Sequence, residues 1–211
     1  MTTYPARLRT SSTIRFCGQL CLLAGVLGAA SSVYLALDSP AVAEDMWSYP
    51  QTPEAFTGTR TWLAVQHLGL LAGLFGLWWS GAAGSTRLGR IGHAGAVAGM
   101  IGWIITEVAA ITARHDTDDT TMVGLLVASY GLVSLIIGAG LILEGIAVLR
   151  ARVWDGWRRW LPLALGIWVF VPLMPAMGMA VETAEAAMAG WMLLFAALGW
   201  CLATLDRRQG G

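Results

Sequence analysis

The chain has 211 residues, of which 56% are hydrophobic and only 12% charged, with 13 basic side chains balancing 13 acidic ones. A soluble domain is about a quarter charged, so this chain lacks the polar surface to cover a globule in water, and lipid is its expected solvent. There is no basic excess to attract nucleic acid, and the basic residues fall in short loops where membrane topology explains them.

At about 20 apolar residues per crossing, this length fits about five to seven crossings in a single bundle. Three cysteines, Cys17, Cys21 and Cys201, lie in apolar runs near the expected cytoplasmic side. An odd number of embedded thiols on a reducing side opposes a disulfide framework. Small buried hydrophobes is the ordinary reading of such residues.

Residues 1–13 are polar and basic, and the first apolar run covers 14–37. A basic start, an apolar stretch and GAASS also resemble a secretory signal peptide. The run is longer than a usual signal core, so we read an uncleaved first span; cleavage would leave five. Residues 38–59 form an acidic extracytoplasmic loop, in which Pro40, Pro50 and Pro53 oppose a long helix. Thr52-Pro53-Glu54 suits a helix start, with a hydroxyl cap, Pro at the first position and then an acid.

The second span is read at 60–80 and the third at 90–113. Gly69, Gly73 and Gly76 make a stripe on one, and Gly92, Gly95, Gly99 and Gly102 on the other. Small residues let helix backbones approach closely in lipid. The two stripes are expected to face each other across a hairpin. The fourth span, 122–149, is long enough to tilt and carries its own seam of Gly131, Ser134 and Gly138. The fifth, 160–177, should kink or break at Pro172 and Pro175. The sixth covers 183–205.

Charge asymmetry orients the chain. Eleven of the thirteen arginines fall on one side, all except Arg60 and Arg114. Nine of the thirteen acids, among them Asp38, Asp116 and Glu182, fall in the opposite loops or at the start of the sixth span. The positive-inside rule then places both termini in the cytoplasm, which an even number of spans allows.

Ionisable groups within a span cost roughly 2.5–3.5 kcal/mol on insertion scales, so each needs a partner or a task. Counting along the helices at 1.5 Å per residue puts His67, Glu107, Ser129 and Tyr130 at one depth in the outer half. Two readings stand side by side. In one, His67, Glu107, Tyr130, Ser129 and Gln66 line an outward-open pocket for a small solute or ion, with Glu107 as the proton or cation group. In the other, His67 and Glu107 pair with each other, with Arg60 or with Tyr130 and hold helices together. Helical geometry sets Glu107 about 110° from its glycine stripe and His67 about 160° from Gly69, which leaves a direct contact between them open. Glu144, near the inner end of the fourth span, is expected to meet Arg87, Arg90 or Arg150; as a second proton or cation group it would complement Glu107.

The three histidines do not fall at one depth on facing helices, which opposes a bis-His haem. His115, Asp116, Asp118 and Asp119 read as a solvated acidic turn rather than a metal site. No cofactor or metal is assigned. Signatures for GxSxG hydrolases, HExxH zinc sites, phosphate loops and CxxC redox sites are all missing from the sequence.

SSVYLAL with SYPQTPEAF, LAVQHLGLLAGLFGL and WRRWLPLALGIWVFVPLMP resemble the small six-span integral membrane proteins of actinobacteria, a family with no established activity. That resemblance implies a six-helix fold and a bacterial plasma-membrane location, and carries over no catalytic residue. The expectation is therefore one all-α transmembrane domain over 1–211, a polytopic membrane protein with a bundle of six transmembrane helices and both termini inside. Its partners are the bilayer and, on the pocket reading, a small solute or ion; homo-oligomerisation is not inferable. The alternative is a non-catalytic membrane subunit or helper that binds a partner through its helices and leaves no internal cavity. A lipid-directed enzyme would have only His67 with Ser129 or Tyr130 for its chemistry.

Overall fold

The computed structural model describes residues 11–205. Helix α1 spans Ser11–Ala36, α2 Pro53–Trp79, α3 Arg87–Ala110 and α4 Thr121–Ala151. The 3-10 turn Ile111–Ala113 extends α3, and Gly156–Trp160 leads into the fifth crossing. That crossing is α5, Leu161–Trp168, a π turn at Val169–Leu173 and the single turn α6, Met174–Ala176. Helix α7, Val181–Ala203, is the sixth. Six helical segments are long and apolar enough to cross a membrane, and no strand occurs among the described residues. The chain is an all-α, multi-pass membrane protein.

Three crossings begin in the same way. Thr52, Thr86 and Thr120 sit in extended backbone and accept hydrogen bonds from the amides of Ala55, Gly89 and Val123 at 3.3, 3.1 and 3.3 Å. Each cap satisfies one of the amides a helix start leaves open, worth about 1 kcal/mol. Proline does not break the fifth crossing. The wide turn at Val169–Leu173 takes up Pro172, whose ring and missing N–H do not fit a regular α turn.

Two helix pairs pack most closely, α1 with α7 and α3 with α4. Helix α2 bridges α1 and α3, and α5 bridges α4 and α7. Glycine explains the close pairs. A Cβ on Gly199 would meet the backbone of Leu22, and one on Gly92 the backbones of Glu144 and Gly140. The glycine stripes of the second and third spans therefore do not face each other. Gly69 and Gly73 lie against Ala24 and Cys21 of α1, while Gly92 and Gly99 lie against Glu144 and Ile137 of α4. The reason is width. The α2–α3 interface is filled with stacked rings, His67 on Trp103 and Trp78 on His93, which hold the two backbones apart.

The expected seam on α4 is also redrawn. Gly138 meets Val169 and Phe170 of the fifth crossing, but nothing lies within 4 Å of a Cβ on Gly131. The three cysteines are buried, and the Cys21 thiol donates to the Phe195 carbonyl at 3.2 Å.

At the acidic end of the bundle the loop before α2 pairs with the loop before α4. The Trp47 amide donates to the Asp116 carbonyl at 3.0 Å and the Asp118 amide to the Asp45 carbonyl at 2.8 Å. Phe56, Ala110, Ala113, Val123 and Leu126 form a small second core beneath this cover.

Candidate functional site

Three helix faces converge under that second core. Phe56, Arg60, Leu63 and His67 recur at four and three residues on α2, as Trp103, Glu107 and Ala110 do on α3, so each set shares one face. Val123, Leu126 and Tyr130 do the same on α4. Arg60 Nη1 donates to Glu107 Oε2 at 3.2 Å, and Trp103 Nε1 donates to Glu107 Oε1 at 2.9 Å. Both carboxylate oxygens thus have a donor. The Arg60 guanidinium also lies 4.6 Å from the centre of the Phe56 ring and 5.9 Å from that of Tyr130, a cation–π arrangement worth about 0.5–2 kcal/mol. The Arg60 side chain keeps 26% of its exposure and Glu107 3%.

Trp103 is the hub of this cluster. Its ring stacks on His67 at 5.6 Å, meets Tyr130 edge-on at 5.8 Å and lies 5.7 Å from Trp191, which in turn meets Phe195. Trp103, Trp191 and Phe195 are 5% exposed or less. The space between His67, Glu107 and Tyr130 is occupied by an indole rather than open to the outside. His67 donates from Nδ1 to the Leu63 carbonyl 2.6 Å away, since a carbonyl can only accept. Its Nε2 has no hydrogen-bond partner, nor does the Tyr130 hydroxyl.

The remaining pocket candidates lie elsewhere. Gln66 Nε2 donates to the Ala24 carbonyl at 2.8 Å and contacts Met192 Sδ at 3.3 Å, which ties α2 to α1 and α7. The Ser129 hydroxyl returns to the Leu125 carbonyl of its own helix at 2.8 Å. Neither joins the Arg60–Glu107 cluster.

A second buried carboxylate lies in the basic half. Glu144 pairs not with Arg87, Arg90 or Arg150 but with His93 of α3, whose Nδ1 is 3.3 Å from Glu144 Oε1. The Glu144 side chain is fully buried, too deep for arginines at the helix ends. The two groups are within ion-pair distance but not aligned for a hydrogen bond, and both Glu144 oxygens and His93 Nδ1 lack one. Trp78 stacks on the imidazole at 4.8 Å and Phe75 meets its edge at 5.9 Å.

Composition hid the residues that organise the acidic half. Trp103 and Trp191 count as apolar in any hydropathy reading. The available signal was spacing, because Trp103 precedes Glu107 by one helical turn and so shares its face. At the basic end a cleft of about 280 Å³ is lined by Trp154, Asp155, Gly156, Arg158 and Leu205. Comparison with protein families, with curated proteins and with solved structures returns no match to this chain.

Proposed function

We propose that this is a non-catalytic membrane protein, of the actinobacterial six-span kind, that binds a partner helix within the bilayer rather than passing a solute through its acidic half. The observation that carries this reading is the outer face of α4. Gly124, Ala128 and Gly131 recur at four and three residues, and nothing lies within 4 Å of a Cβ on either glycine. At Gly18, Gly25, Gly92, Gly140, Gly145, Gly166 and Gly199, by contrast, a neighbouring backbone fills the corresponding space. A smooth face of this kind lets a second helix approach closely, where dispersion and weak polar contacts drive association in lipid. The ring-filled centre around Trp103 supports the same reading by leaving no room for a solute between His67, Glu107 and Tyr130.

The test is Gly131→Leu, alone and with Gly124→Leu, in the full chain expressed in its own membrane. Crosslinking from a photoreactive residue at Ala128 should report a partner in the wild type, and the leucines should abolish it while the melting temperature holds. An unchanged crosslink, or none in the wild type, overturns the reading. The proposed orientation sets the basic end in the cytoplasm. A thiol introduced at Ala43 should then react with an impermeant reagent in intact cells, and one at Val153 should not.

A further inference from the structure

We propose that His93 and Glu144 form a proton-binding site in the basic half of the bundle, taking up one proton from the solvent at that end. This does not rest on the partner-binding reading. His93 is the seventh residue of α3 and Glu144 the eighth from the end of α4, so both lie about 10 Å from the basic end. The backbones touch beside them, because a Cβ on Gly92 would meet the Glu144 amide and the Gly140 carbonyl. That contact brings the two side chains together on facing helices.

The chemistry follows from what the carboxylate lacks. Its side chain is fully buried and neither oxygen accepts a hydrogen bond. Buried polar groups nearly always have partners, and each exception needs a cause. An ionisable group inside a membrane that is not merely an internal brace is by default a functional one. Glu107 shows what the brace looks like in this same chain, with a donor on each oxygen. Among the described residues, the neighbour of Glu144 that can share a proton is the imidazole, itself 12% exposed and so the way in.

The surroundings leave few other charges to consider. Phe75 and Trp78 face the imidazole from α2, and Leu163 of α5 packs against Gly145 beside Glu144. Helix α5 carries no ionisable residue. Arg87 and Arg90 on α3, Arg150 on α4 and Arg152, Asp155, Arg158 and Arg159 between α4 and α5 are the charged groups at this end of the packed elements, while Glu54 and Arg60 on α2 and Glu107 on α3 lie in the acidic half, and none acts on Glu144 as His93 does. Without the proton the pair is a carboxylate beside a neutral imidazole, with a charge of minus one. With it the pair is neutral overall, the proton coming from solvent and no other bond changing. A hard cation is poorly served by this donor set, since Ca²⁺ takes about six to eight oxygens.

Two readouts on the full chain in lipid nanodiscs test the site. Infrared difference spectra across a pH titration should show a carboxyl or carboxylate band that Glu144→Gln removes and His93→Asn shifts. The Trp78 indole should be quenched as the pH falls, because a protonated imidazole quenches a stacked indole, and this part of the fluorescence titration should vanish in both His93→Asn and Trp78→Phe. A melting curve confirms that each variant is folded. Spectra in which Glu144→Gln removes no titrating band overturn the proposal. So does a Glu144 band that answers to added Na⁺, K⁺ or Ca²⁺ at fixed pH instead of to pH, which would make a cation the occupant.

Discussion

Glu107 and Glu144 are the same side chain in the same kind of place, each buried on a helix of the closely packed α3–α4 pair, yet their surroundings differ completely. Glu107 is finished. An arginine and an indole each give it a hydrogen bond, and Phe56 and Tyr130 flank the arginine. Glu144 is unfinished, with one imidazole nearby and no aligned donor. The difference separates a carboxylate that holds helices together from one left able to change its protonation. Burial and charge alone do not separate them; the count of aligned donors does.

The sharpest way to break this contrast is to remove the donor of the finished site. Arg60→Met leaves Glu107 buried without its cation, and stranding one member of a buried pair costs about 3–5 kcal/mol. Unfolding in mixed micelles should show a loss of that size. The double variant Arg60→Met with Glu107→Leu should recover most of it, since an apolar pair of similar volume is often neutral or better. Full stability in Arg60→Met would mean that the acidic-half pair is not a brace.

Next in size are the glycines. Gly92→Ala places a methyl group against the backbone of α4, and overpacking of this kind costs about 1–3 kcal/mol. Gly131→Ala faces open space and should change stability by no more than about 0.5 kcal/mol. Equal losses at the two positions would show that a helix not present here already covers the α4 face in the purified protein.

These two glycines also mark where the sequence stops being legible. The six crossings, the Thr52 cap and the longest loop follow from hydropathy and from local rules about Thr and Pro. The pairing of the stripes does not. A glycine stripe states that some backbone comes close, and the identity of that backbone depends on what fills the other interfaces. Here rings on α2 and α3 keep those two helices apart, and α1 and α4 take the glycines instead. The sequence likewise offered Arg60 as one partner for Glu107 and sought arginines for Glu144. Depth along the helix decides both: Arg60 reaches Glu107, whereas Glu144 lies too far in for the end-of-helix arginines and finds His93.

Trp103→Phe is a smaller perturbation of the finished site. It keeps the ring against His67, Tyr130 and Trp191 but removes the N–H that serves Glu107 Oε1. One unsatisfied buried acceptor costs about 1–3 kcal/mol, less than the stranded charge of Arg60→Met. A melting shift between those of Arg60→Met and wild type is expected. A loss as large as that of Arg60→Met would make the indole, rather than the arginine, the main support of Glu107.

Among the changes at the two carboxylates and their partners, the smallest is expected at Glu144→Gln, and its smallness is the informative part. No hydrogen bond is lost, because none is made. The amide has the shape of the carboxylate, so the backbone contact of Gly92 with α4 is untouched. What disappears is a charge in a fully buried position, and that removal offsets the desolvation of the new amide. The change should be about 1 kcal/mol or less, against a distinctly larger loss for Glu107→Gln, which turns one acceptor of the finished site into a donor facing another donor. If Glu144→Gln unfolds the protein as readily as Arg60→Met does, the two carboxylates are both braces, and the contrast between a finished and an unfinished site collapses.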